Sequence, residues 1–157
     1  GSQSAPTTQV VSGMLLGLRG GDVVTGVVLK LPVAAVGSAP TTARFGLADS
    51  TGTILVLSGN LNAAASWTLG SAGFAFTATY TVLADGGFFP CFVVDGIWGT
   101  TQPTIAYVQA GNAPNYTAFG SNAPRGFRWA AQTDLPAIGA SLTITAGITI
   151  PYYMAVY

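Results

Sequence analysis

Apolar runs of four to eight residues alternate along this chain with short clusters of Gly, Asp, Asn, Ser and Pro, the spacing of an antiparallel sandwich or barrel. The runs predict strands at Met14–Leu18, Val23–Leu31, Thr42–Leu47, Thr53–Ser58, Phe74–Val82, Phe88–Val94, Pro103–Val108, Gly126–Ala131, Ser141–Thr145 and Ile148–Val156. Turn chemistry supports several joins. Gly20-Gly21-Asp22 separates the first pair, Asp49-Ser50-Thr51-Gly52 reads as a type I turn with Gly at the residue needing positive φ, and Ala84-Asp85-Gly86-Gly87 breaks two apolar runs. Asp95-Gly96, between Val93-Val94 and Ile97-Trp98, predicts a hairpin. The expected fold is all-β: one antiparallel β-sandwich, jelly-roll-like, with one short helical turn, over residues 10–157.

The helical turn is expected at Ala63-Ala64-Ala65, capped by Asn60 or Asn62, with Trp67 folding back onto the core. From Gln109 to Asn122, Gly, Asn, Pro and Ser surround Tyr116 and Phe119 without periodicity. Such a stretch reads as a long loop, and long loops on rigid β frameworks commonly carry recognition. The final run, Thr143 to Tyr157, has no charge and high β propensity. On an open edge it would invite aggregation, so it is expected in a sheet centre or a subunit interface. By analogy with jelly-roll trimers, its tyrosines would suit a place near a threefold axis.

Charge changes the picture. Five Asp and five Lys/Arg balance over 157 residues, and there is no His and no Glu. A folded monomer of 15.9 kDa exposes about 7,400 Å², or roughly one charge per 700 Å². Either the surface is solubilised by uncharged polar side chains or part of it is hidden in an oligomer, the reading preferred here. Without a basic patch, a nucleic-acid partner is not expected. No run is long and apolar enough for membrane insertion, since Val23–Val36 is broken by Thr25, Lys30 and Pro32.

The same deficit narrows the chemistry. A glycoside hydrolase needs only two carboxyls, so a pair among Asp22, Asp49, Asp85, Asp95 and Asp134 is conceivable, but four of the five sit in turns where Asp caps its own backbone. No Gly-x-Ser-x-Gly elbow occurs, no His could serve as base, and a Ser/Lys dyad would depend on Lys30, the sole lysine, in mid-strand. Cys91, the single cysteine, lies in the apolar run Phe88–Val94 and reads as structural. No metal or cofactor is expected. Arg125-Gly126-Phe127-Arg128-Trp129 interleaves cations with aromatics and reads as a packed strand edge with cation–π support, with stacking on a base or sugar as the alternative. Asn115-Tyr116-Thr117 fits the N-glycosylation sequon. Trp98, Tyr107, Tyr116, Phe119 and Trp129 are the candidate ligand-binding residues, read as a carbohydrate platform.

The stretch Ala43 to Gly52, continuing through Leu61-Asn62-Ala63-Ala64, Tyr80-Thr81-Val82 and Ala84 to Phe89, resembles C-terminal domains of minor tail proteins or tail fibres from phages of actinobacteria. So does Gly96-Ile97-Trp98-Gly99-Thr100-Thr101-Gln102-Pro103-Thr104. The resemblance covers roughly residues 40–110, with Pro151 to Tyr157 in keeping, and its phrases are turn-and-strand phrases with no site motif to carry over. It implies a trimeric β-sandwich tip on the virion, adjoining other tail proteins and contacting the host envelope, where mycolic-acid bacteria present arabinogalactan and other neutral glycans and glycolipids. The function expected is non-catalytic, multivalent receptor binding. Two alternatives stand beside it: a structural virion module without a ligand, and an Asp-pair glycan hydrolase. Gly1-Ser2 without an initiator Met reads as a cloning scar, and Gln3–Gln9 as a flexible linker.

Overall fold

The computed structural model describes residues 2–107, 126–144 and 152–157. Its physical centre is the run Phe88–Val94. Strand β8 (Gly86–Asp95) is buried along most of its length. Phe88, Phe92 and Val94 enter one core, while Phe89, Cys91 and Val93 enter another. A strand covered on both faces is apolar at every position, which is why this run shows no alternation.

Around β8 lies a sheet of order β10-β2-β8-β5-β6, made of β2 (Val10–Met14), β5 (Thr42–Asp49), β6 (Ile54–Leu57) and β10 (Gly126–Ala130), with β3 (Leu16–Leu18) also on β8. A second sheet has the order β11-β4-β7, from β4 (Val23–Leu31), β7 (Gly70–Thr81) and β11 (Met154–Val156). β1 (Gln3–Ser4) pairs with β9 (Ile105–Ala106) in a small third ribbon. Every strand pairing among the described residues is antiparallel. Phe45 of β5 stacks on Phe74 of β7 with centroids 4.0 Å apart, joining the two larger sheets through the first core. Successive strands pass from one sheet to the other at β3–β4, β4–β5, β6–β7 and β7–β8, as in a jelly roll. The described residues form an all-β antiparallel sandwich with one 3-10 turn, Ala64–Ser66.

Pro90 in the middle of β8 would ordinarily argue against a central strand. Phe45 exchanges its backbone groups with Ser58, accepting from the Ser58 N–H and donating to Ser58 Oγ. Gly46, the next residue, therefore faces β8 opposite Cys91, and by alternation Pro90 faces the β2–β3 side. There the ladder is interrupted: Gly13 pairs with Cys91 and Leu16 with Phe88, but Met14 and Leu15 pair with nothing on β8. The missing N–H divides what the sequence reads as one strand, Met14–Leu18, into β2 and β3.

β7 turns a corner. Its register on β4 jumps from Tyr80↔Val24 to Ala75↔Gly26, and between them Phe76 bridges to Ser58 while Thr77 Oγ1 donates to the Leu57 carbonyl. Strands that bend from one sheet toward another through such irregularities close sandwiches at their edges. The second core is closed by the segment after β10, which contributes Leu135 and Leu142. Asp134 accepts from Arg44 Nε at 2.7 Å, and Leu142 N–H donates to the Gly52 carbonyl, fastening that segment over β5 and β6.

Several expectations are corrected. After Asp95-Gly96 the chain does not fold back as a hairpin: the Asp95 carbonyl accepts from Thr41 and Gly96 N–H donates to Thr8 Oγ1, so the turn leads away from the sheet. Gln3–Gln9 is not a free linker, because Gln3–Ser4 pairs with β9 and Gln9 N–H donates to the Val94 carbonyl. Asn60 and Asn62 do not cap the 3-10 turn; their amides donate to the Thr41 and Pro40 carbonyls, and Asn60 Oδ1 accepts from Ala43 N–H. Ser141 makes one isolated bridge to Thr53, and no strand runs through 141–144. Only Ile105–Ala106 of the expected Pro103–Val108 strand is a strand among the described residues. Among those residues β11 pairs with β4 alone and forms an edge of its sheet, which removes the sheet centre, one of the two places expected for the final run, and not the other, a subunit interface.

Candidate functional site

Three connections, residues 32–41, 58–69 and 96–104, meet at one end of the sandwich and contain no charged residue. They are held by two tryptophans. Trp67 lies against Phe45 and Phe74, and its Nε1 donates to the Leu61 carbonyl at 2.9 Å. Trp98 packs on Trp67 with ring centroids 4.7 Å apart, and its Nε1 donates to the Asn62 carbonyl at 3.0 Å. Buried indoles keep their one polar atom paired, so each ring fixes a loop backbone as well as filling space.

Backbone bonds stitch the same loops together. Ala35 N–H donates to the Trp67 carbonyl, Val36 N–H to Thr101, Thr100 N–H to Val36 and Gly99 N–H to Ser38, each at 3.0 Å. Gly37 has φ +103°, and a Cβ there would meet Thr100, so both conformation and space demand glycine. On this fixed frame Leu69 is 71% exposed and Ile97 66%, with Val36 also exposed. Each is within two residues of a stitch to the tryptophan pair. The result is an uncharged, preordered end with exposed apolar side chains, and Ser38, Thr68 and Thr100 are exposed in the same connections.

The expected aromatic platform is not assembled by the described residues. Trp98 is only 2% exposed and belongs to the first core, so its assignment to ligand contact is corrected: it supports the loops from beneath. Tyr107 is half-buried against that first core, whereas Trp129 is half-buried against the second, across the larger sheet. Tyr116 and Phe119, like the sequon at Asn115, lie outside the described residues. The cation–π contact expected near Arg128 is present, but its partner is Tyr152, with the guanidinium 5.6 Å from the ring centroid. Tyr152 is buried, and its hydroxyl donates to the Ala5 carbonyl and accepts from Ser4 Oγ, tying the amino-terminal segment to the strand next to it.

The carboxylates are occupied structurally. Asp49 Oδ1 accepts from Thr51 N–H, Thr51 Oγ1 and Thr53 N–H, holding the β5–β6 turn in which Gly52 has φ +92° as expected. Asp22 and Asp85 accept from Arg19 and Gly20 N–H, Asp95 from Gln9 Nε2, and Asp134 from Arg44 and Leu135 N–H. Among the described residues no group of three or more Cys and Asp is placed to hold a metal ion. Burial pushes the Cys91 thiol up to about 12, and its Sγ sits 3.6 Å from the Gly46 carbonyl. That thiol is inert at neutral pH.

Leu69, Ile97 and Val36 escaped the reading of the sequence, which looked for aromatics. The signal available was an apolar residue beside each tryptophan or loop glycine in stretches otherwise rich in turn formers. No family model, curated protein or solved structure matches the chain.

Proposed function

We propose that this domain is a phage tail-associated receptor-binding module, on the virion, that attaches to the host envelope as a homotrimer by non-catalytic binding of a glycan or glycolipid. The observation that carries the proposal is the uncharged, preordered loop end displaying Leu69, Ile97 and Val36. Two phrases of the tail-protein resemblance, Leu61 to Ala64 and Gly96 to Thr104, meet there through the Trp98–Asn62 hydrogen bond. A neutral envelope glycan offers no charge to pair with, and a surface of apolar and hydroxyl groups suits it at little desolvation cost. Loops fixed before binding also lose little entropy on contact.

The test is attachment of the purified domain to actinobacterial envelope fragments, with the double substitution Leu69→Asp and Ile97→Asp. Both side chains are exposed, so folding is expected to survive while attachment falls by tenfold or more. Attachment unchanged by both substitutions overturns the assignment of this end. Light scattering gives the assembly directly, with a mass three times 15.9 kDa expected.

A further inference from the structure

Residues 2–9 include no buried side chain, yet hydrogen bonds fasten them to distant parts of the chain. Tyr107 N–H donates to the Ser2 carbonyl, Thr104 Oγ1 to Gln3 Oε1, and Gly96 N–H to Thr8 Oγ1. Ser4 is the cross-strand partner of Ile105, and Gln9 N–H donates to the Val94 carbonyl. Ile105, Val94 and Tyr152 are all buried in the first core. Among the described residues both partners of the Tyr152 hydroxyl, Ser4 Oγ and the Ala5 carbonyl, come from this segment. An emptied slot would strand that hydroxyl, so the slot requires an occupant with this donor and acceptor. The segment enters β2 through a turn at Thr8-Gln9, where Gln9 has φ +59°. Left-handed backbone is strained at a residue with a side chain. Two residues later Val11 is fully buried, so the firmly packed part of the fold begins at β2.

We infer that residues 2–8 are an exchangeable arm, swung at Gln9, that occupies the same slot on a second copy of this chain. The inference rests on the homotrimer of the reading above and not on its glycan. The structure shows the arm closed on its own copy. Arm and slot are identical in every copy, so the bonds from Ser2 to Thr8 are remade when a neighbour's arm enters, and exchange costs little. It also relieves the turn at Gln9, which extends once the arm leaves, and short hinges under strain favour such swaps. An arm without buried side chains detaches far more readily than the strands it lies on. Pro6 fixes one φ in the range of extended chain, which keeps the free arm from coiling. Extended, residues 2–8 reach about 23 Å, enough to cross to an adjoining copy. Passed head to tail, three arms close a ring.

A disulfide trap reads which slot each arm occupies. Gln3 and Ala106 are direct partners, and the Ala106 carbonyl turns away from β1 to accept from Tyr153 N–H. They therefore form a non-hydrogen-bonded pair, the closer kind, suited to a cross-strand disulfide. Cys91 is buried and does not compete. The full chain carrying Gln3→Cys and Ala106→Cys is oxidised in dilute solution, its native mass is measured by light scattering, and its denatured chains are separated without reductant. A native trimer that yields covalent dimers and trimers is the expected result. Adding Gln9→Gly, which accepts positive φ without strain, should lower the intermolecular share at least threefold, and an unchanged share overturns the hinge. A native trimer yielding only internally bridged single chains overturns the exchange and leaves the homotrimer standing. A native dimer with intermolecular bridges supports the exchange and overturns the trimer. A native monomer with internal bridges overturns both, and the absence of any disulfide overturns the exchange.

Discussion

Trp98 donates through Nε1 to the Asn62 carbonyl at 3.0 Å while its ring lies 4.7 Å from that of Trp67. One side chain therefore joins the 96–104 connection to the 58–69 connection beneath the exposed loop end. Truncating it leaves a large cavity and an unpaired Asn62 carbonyl. Trp98→Ala is expected to cost about 3–5 kcal/mol, seen as a marked drop in melting temperature. Any loss of binding in that variant should track unfolding. A Trp98→Ala protein that keeps wild-type stability but loses binding would contradict its placement in the core.

Arg44 and Asp134 form the ion pair that clasps the post-β10 segment, and both side chains are partly exposed. Solvent screening limits the pair itself to about 1 kcal/mol or less. Its local effect is larger than its global one, since Leu135 and Leu142 roof the second core from that segment. Asp134→Ala is expected to raise hydrogen exchange at Leu142 and Ile54, whose N–H groups donate to Gly52 and Ala140, by several-fold. Exchange in the β4–β7 ladder should stay as it is.

Burial that lifts the Cys91 thiol to about 12 has a definite sign in stability. The thiol ionises in the unfolded chain near its ordinary 9.0, whereas the folded chain keeps its proton to about 12. Below pH 9 the two states carry the same proton and the effect is absent. Between pH 9 and 12 the unfolded state loses the proton first, so folding weakens by up to about tenfold in equilibrium constant per pH unit from this group. Cys91→Ser would remove that slope, though it also places a hydroxyl in an apolar site. Denaturant titrations at pH 8, 9.5 and 10.5 read the slope, and an alkylating reagent should label Cys91 only on unfolding.

Much of the frame was legible in the residues. Val23–Leu31 forms the expected strand end to end, and the Asp49–Gly52 turn follows from an Asp that binds three donors and a Gly with positive φ. These are local features, set by residues near one another in the chain. Asp95-Gly96 misled for the same reason: the dipeptide makes a tight turn, but only Thr41 and Thr8, both distant in sequence, decide that the turn leaves the sheet. Pro90 hid the break between β2 and β3, because the missing donor belongs to one strand and its effect appears on another. Within the expected aromatic platform, Trp98 was misplaced on depth. Composition cannot tell a tryptophan beneath a loop from one upon it, and Trp98 is the former.

Gly26 and Gly73 both underlie Tyr157, but they should tolerate substitution differently. A Cβ at Gly26 would run into the Phe74 carbonyl of the neighbouring strand as well as the Tyr157 ring, and backbone cannot yield as a side chain does. At Gly73 the nearest atom is the Tyr157 ring at 3.4 Å, an ordinary contact. Gly26→Ala is therefore expected to destabilise the domain by about 1–3 kcal/mol and to lift Tyr157 from the sheet. Gly73→Ala should stay within about 0.5 kcal/mol of wild type. Tyrosine fluorescence and thermal melts of the two variants compare them directly. Equal losses in both would mean that the ring does not lie across β4 and β7.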